Sequence, residues 1–196
     1  MDAKIIVPLR YSKWIANLVV VRKKNGEIRL CVDLRNLNKC SKKDNYPLPK
    51  MEHLLQKVPR ARVMSFLDGF LGYNQIVVHL EDQEKTSFTT PWGTFMYSKM
   101  PFGLMNDGAT FQRAMDIAFV GDKDKFVLIY LDDITVFSSS HKYHLQHLKK
   151  VFLKCRQFGI SVNPKKSQFS LEEGKLLGHI VSTEGVNINP TRVQAI

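Results

Sequence analysis

The chain has 196 residues, with 29 Lys and Arg against 18 Asp and Glu, a formal net charge of +11 and a pI near 9.6. With 44% hydrophobic and 24% charged residues it reads as an ordinary globular protein, long enough for one domain or two small lobes. The basic excess points to a polyanionic partner, nucleic acid first, against the plainer reading of a merely soluble basic surface.

Three widely spaced cysteines, Cys31, Cys40 and Cys155, form no CxxC pair and no zinc set, and suit reduced thiols in an intracellular protein. No apolar run approaches the ~20 residues of a membrane span. The N-terminal "IIVPL" is too short for a signal peptide, and "NPTRVQAI" reads as the edge of a longer chain.

In chain order, "NLVVVRKKNGEIRLCVDL" predicts two strands joined at Asn25-Gly26. "NYPLPKMEHLLQKVP" predicts a short helix begun near Pro49, with Leu54, Leu55 and Val58 at helical spacing. "ARVMSFLDGF" is an apolar strand that ends at Asp68 and Gly69. "KTSFTTPWGTFMYSKMPFG" predicts a second hairpin turned at Trp92-Gly93, then a loop at Pro101–Gly103. "NDGATFQRAMDIAF" is helical, with Asn106 or Asp107 as N-cap. "HKYHLQHLKKVFLKCRQFG" predicts an amphipathic helix with Leu145, Leu148, Val151, Phe152 and Cys155 on one face and Gly159 as its stop. Short strands and Gly turns close the chain. Strands interleave with helices in an α+β pattern, and the hairpins imply antiparallel pairing.

Between the last two helices lies "FVLIYLDDITVFS", where Asp132 and Asp133 interrupt an apolar, β-branched run. This reads as a hairpin whose tip carries two carboxylates. An ordinary polar turn is one explanation, but tight turns favour Asn-Gly or Asp-Gly. Two adjacent like charges repel unless a cation holds them, so a divalent metal is the other. If the strand ending at Asp68 neighbours this hairpin, three carboxylates converge into a hard, oxygen-only site suited to Mg²⁺.

These stretches resemble the polymerase domain of reverse transcriptases, especially those of gypsy-class long-terminal-repeat retrotransposons. "RKKNGEIRLCVDLRNLNK" resembles the fingers hairpin and "KDNYPLP" the entry to the palm. "SFLDGFLGYNQI" resembles the first catalytic motif, "MPFGLMNDGATFQRAMD" the template-side helix, and "IYLDDITVFS" the catalytic hairpin. "GISVNPKKSQF" and "LLGHI" resemble the last two palm motifs. The resemblance implies a right-hand fold of fingers and palm only, with an antiparallel palm sheet packed on helices. Fingers would be 1–45 and 76–106, palm 46–75 and 107–182, and 183–196 the start of a connection towards an absent thumb.

The resemblance also implies roles. Asp68, Asp132 and Asp133 would hold two Mg²⁺ ions, with Mn²⁺ as an alternative, assisted by the Gly69 carbonyl. Lys23 or Lys24, with Arg29, would grip the triphosphate; Leu71, Gly72, Tyr73, Phe102 and Gly103 would line the nucleotide site. Tyr73 would exclude a 2′-hydroxyl, although a core tyrosine is the simpler reading of that position alone. Lys165 or Lys166 would protonate pyrophosphate, with Lys166 preferred; Leu177, Gly178 and His179 would grip the primer. Gly108 stands where relatives carry Pro, which implies a looser helix start.

The partners implied are a primed RNA or DNA template, deoxynucleoside triphosphates and the remaining polyprotein domains (thumb, connection, ribonuclease H), with no membrane. The location implied is intracellular, in a cytoplasmic virus-like particle. A non-catalytic nucleic-acid-binding remnant and an unrelated metal-dependent phosphohydrolase are the competing readings.

Overall fold

The computed structural model describes residues 4–22, 26, 28–58, 61–69 and 72–188. The chain opens with β1 (Ile6–Pro8), the hairpin strands β2 (Leu18–Arg22) and β3 (Ile28–Val32), and helix α1 (Arg35–Cys40). Helix α2 (Met51–Leu55) follows the proline segment, and β4 (Val63–Asp68) ends on the candidate aspartate. After a 3-10 turn (Gly72–Gln75) come helix α3 (Leu80–Gln83), a second 3-10 turn (Glu84–Thr86), and strands β5 (Phe88–Thr90) and β6 (Gly93–Tyr97). Helix α4 (Asp107–Ala118) precedes the hairpin of β7 (Val127–Tyr130) and β8 (Asp133–Ser138). Helix α5 (His141–Phe158) and the strands β9 (Gln168–Leu171), β10 (Gly174–Leu176), β11 (His179–Ser182) and β12 (Gly185–Ile188) follow.

The chain divides into two compact units. Met1–Asn45 and Tyr73–Thr110 make the first; Tyr46–Gly72 and Phe111–Ile196 make the second. Every strand pairing in both is antiparallel, as the hairpin signals predict.

The first unit holds the three-stranded sheet β1-β6-β5 and the separate β2–β3 hairpin. The β2–β3 register runs from Leu18↔Val32 to Arg22↔Ile28. Asn106 does not cap α4: its side chain accepts from the Asp44 amide and donates to the Lys42 carbonyl. Asp107 takes over the helix start, its carboxylate accepting from the amides of Gly103 and Gly108. Proline at 108 could not donate that bond, which accounts for glycine there.

The second unit is built on the sheet β7-β8-β4-β9, with a smaller sheet β10-β11-β12. Helix α5 packs on β8 and β4. Val63, Met64, Leu67, Val127, Leu128, Ile129, Ile134 and Val136 are almost fully buried. Each such side chain contributes about 1.5–3 kcal/mol on burial. The buried face of α5 is His144, Leu148, Val151 and Cys155, while Leu145 is 72% exposed. This corrects the predicted face by one residue. The cause is polar: the His144 ring bonds the hydroxyls of Ser65 on β4 and Ser138 on β8 at 2.7 and 2.9 Å. Those bonds give an imidazole a satisfied place where periodicity favoured leucine. Ser140 caps α5, accepting from the Tyr143 amide, and Gly159 ends it at φ +67.

The cysteines are free, and burial pushes the Cys155 thiol up to about 11. No described helix is long and apolar enough to cross a membrane.

Candidate active site

Strand β4 lies between β8 and β9, and its register with β8 runs from Val63↔Ser138 to Asp68↔Asp133. Opposed residues on antiparallel strands project from the same face with Cβ atoms about 4.5–5.5 Å apart. Asp68 and Asp133 therefore face one another at the sheet end. The Asp133 carboxyl is held above the usual carboxylate range, first by burial and then by the charge of Asp68, with Lys166 opposing. Lys166 Nζ lies 3.5 Å from Asp68 Oδ2. Lys165 is engaged differently, its amide donating to Asn163 Oδ1.

The loop after α5 fixes the main chain here. Asn163 N–H donates to Asp68 O at 2.7 Å, and the Asp68 amide donates to Ser167 Oγ at 3.3 Å. Asp68, Asp133, Lys166, Gln168 and Leu177 line one cleft of about 510 Å³. The Leu177–Gly178 turn has positive φ at both residues (+51 and +81), and His179 Nδ1 donates to Leu177 O at 3.2 Å.

The β7–β8 hairpin closes at Tyr130↔Asp133, so Leu131 and Asp132 alone form its turn. Leu131 has φ +52, a value tight hairpins usually reserve for Gly or Asn. The turn sits against the segment after β4: Gly69 N–H donates to Asp132 O at 2.8 Å. A Cβ on Gly69 would come 3.1 Å from that oxygen, and one on Gly72 only 2.2 Å from Asp132 Oδ1. Glycine at 72 is thus required by the carboxylate seated on it.

Of the three candidate aspartates, Asp68 and Asp133 are brought face to face beside Lys166, while the Asp132 carboxylate lies over Gly72. Among the described residues no group of three or more His, Cys, Asp or Glu side chains stands at metal-holding spacing. The donors still fit a divalent cation. Mg²⁺ prefers oxygen and is commonly held by one or two carboxylates with waters and substrate phosphates, not by an all-protein cage.

In the first unit, the rings of Tyr73 and Phe102 lie 6.1 Å apart at 43°. Asn38 on α1 holds the loop after Phe102, donating to Gly103 O and accepting from the Met105 amide, both at 2.8 Å. Gly103 has φ +100. Arg29 stands on β3 opposite Val21. Lys23, Lys24 and Leu71 lie outside the described residues.

Two residues were missed by motif reasoning. One is Asn38. The other is Gln112 on α4, fully buried beside Phe111 and Met115. Its Oε1 accepts from the Leu131 amide at 3.0 Å. The available signal was a glutamine at a helical position otherwise apolar, in "ATFQRAM".

The family comparison agrees with this arrangement. A model of the reverse transcriptase (RNA-dependent DNA polymerase) family matches residues 21–181. The retrovirus-related Pol polyprotein from transposon 297 of Drosophila melanogaster is 38% identical over 87% of this chain, and the match covers 16% of that protein. That from transposon gypsy of the same organism is 36% identical over 88% of this chain and 17% of its own length. The transposon Tf2-3 polyprotein of Schizosaccharomyces pombe is 34% identical over 90% of this chain and 13% of its own. The chain thus spans a small part of the curated relatives it matches. A foamy viral protease-reverse transcriptase solved in complex with double-stranded DNA has a TM-score of 0.90, 22% identity, and covers 100% of this chain and 34% of that one. The same viral protein solved with an RNA/DNA hybrid has a TM-score of 0.87, 22% identity, and covers 98% and 26%. With the family match across both units, the sheet-end aspartates and the transposon relatives agreeing, the chain belongs to the reverse transcriptase family.

Proposed function

We propose that the chain carries the fingers and palm of an RNA-directed DNA polymerase from a retrotransposon polyprotein. Fingers are 1–45 and 76–106; palm is 46–75 and 107–182. The unit boundaries after residues 45, 72 and 110 support that division. The observation that carries the reading is Asp68 opposed to Asp133 at the sheet end, with the Asp132 turn hydrogen-bonded to Gly69.

In this reading Asp68, Asp132 and Asp133, aided by the Gly69 carbonyl, hold two divalent cations, Mg²⁺ or Mn²⁺. When bound, they supply a Lewis acid that activates a primer 3′-hydroxyl and offsets charge on the triphosphate. The paired carboxylates supply fixed anionic oxygens, held by a buried sheet that does not need to reorganise. Lys166 places a mobile ammonium beside them, suited to donating a proton to departing pyrophosphate. Leu177, Gly178 and His179 line and border the same cleft and would seat the primer end. In the fingers, Tyr73 and Phe102 form the wall against the incoming sugar and base, while Arg29 and Lys23 or Lys24 bind phosphate. Template pairing selects the base, so protein contacts need read only backbone and shape.

The test is primer extension on a primed RNA template with Mg²⁺ and deoxynucleotides, wild type beside Asp132→Asn. The reading expects extension by wild type and loss with the variant. Template binding without extension by wild type would favour a non-catalytic remnant, and cleavage of the template would favour a phosphohydrolase.

A further inference from the structure

The turn that carries Asp132 is strained, yet its own residues do not explain why it holds. Leu131 is at φ +52, where a side chain costs about 1 kcal/mol relative to glycine. What holds it comes from α4. Gln112 Oε1 accepts from the Leu131 amide at 3.0 Å, and Gln112 Nε2 reaches Ile129 O at 3.5 Å. One buried amide therefore spans the last residues of β7 and the turn.

A glutamine amide can face either way, and only one way serves. The Leu131 N–H can only donate, so it needs the oxygen. The opposite end of the amide is decided by Asp116, one helical turn on, whose Oδ1 lies 3.0 Å from Gln112 Nε2. Every other partner of that carboxylate is also a donor: Tyr46 OH at 2.8 Å on Oδ2 and Lys123 Nζ at 2.6 Å on Oδ1. An acceptor surrounded by donors stays an acceptor, so it holds the nitrogen of Gln112 and turns the oxygen to Leu131. The Arg113 guanidinium over the Tyr46 ring, 4.7 Å from its centre, steadies the outer end. The chain Tyr46–Asp116–Gln112–Leu131 runs within the second unit, from the entry segment to the metal-bearing turn.

We propose that Gln112 and Asp116 are positioning residues for the Leu131–Asp132 turn, with Asp116 setting the polarity of the Gln112 amide. This rests on the polymerase reading for its effect on rate, but not for its effect on the turn.

The test measures amide hydrogen exchange at Leu131 in the full chain, with the β4 amides as reference, alongside primer extension. Gln112→Leu is expected to speed Leu131 exchange about tenfold or more while β4 stays protected. Gln112→Glu places two carboxylates together and is expected to do the same. Gln112→Glu with Asp116→Asn restores an acceptor for Leu131 and a donor for position 112, and is expected to recover protection. Extension should follow, with kcat lowered in the single variants, KM for nucleotide nearly unchanged, and kcat recovered in the double. Leu131 exchange within twofold of wild type in Gln112→Leu overturns the proposal, as does a double variant no better than Gln112→Glu. If Gln112→Leu does not fold, the Glu pair decides. A wild type that does not extend primers sinks the polymerase reading, while Leu131 exchange still decides the clamp.

Discussion

The two Asp- or Gly-tipped hairpins behave very differently. The β7–β8 hairpin is enclosed: its strands are buried, β4 lies beside it, and α5 packs on β8. The β2–β3 hairpin is a two-stranded ribbon with Val20, Ile28 and Leu30 each more than 60% exposed. A lone ribbon is marginally stable, whereas a strand inside a packed sheet is fixed by its neighbours. The difference suits the two tasks proposed for them. Carboxylates that meet developing charge need a rigid seat, while cationic side chains that capture a triphosphate benefit from a movable one.

The largest effect that bears on this contrast lies at Gly72. Gly72→Ala should lower nucleotide addition by about a hundredfold, because its methyl group pushes the Asp132 carboxylate from its seat. The protein should still fold, since the displaced atom ends a side chain; single-turnover kinetics beside thermal unfolding separate the two. Next comes the strand packing. Ile134→Ala in β8 should cost about 2–5 kcal/mol in denaturant unfolding, whereas Leu30→Ala in β3 should cost about 0.5 kcal/mol or less. Equal costs would remove the contrast.

A smaller effect is expected at the fingers ribbon. Arg29→Ala should raise KM for deoxynucleotide about tenfold with kcat changed less, the pattern of lost ground-state binding. The smallest concerns acid. Burial, followed by the neighbouring His147 and His141, holds the His144 pKa below its ordinary 6.5. The unfolded chain then binds the proton more readily than the folded one. Stability is complete above the ordinary histidine range and falls as pH drops below it. His144→Gln should flatten that acid limb in pH-dependent unfolding.

Much of this was legible in the chain. Asn25-Gly26 and Trp92-Gly93 marked hairpins because turn chemistry is local. The apolar runs beside Asp132 and Asp133 announced buried strands for the same reason. The pairing of Asp68 with Asp133 was conditional in the sequence, since nothing local says which strands are neighbours. Leu145 was misplaced because periodicity counts apolarity and cannot see that Ser65 and Ser138 would receive an imidazole. Gln112 and Asp116 escaped notice because their roles exist only once α4 lies against the Leu131 turn.

The central claim is that the sheet end bearing Asp68 performs nucleotidyl transfer. Single-nucleotide addition to a primed RNA template, with duplex affinity measured in the same samples, tests it most directly. The account predicts that Asp68→Asn lowers the rate at least about a thousandfold while duplex affinity stays within a few-fold of wild type. Near-normal addition by Asp68→Asn would contradict it.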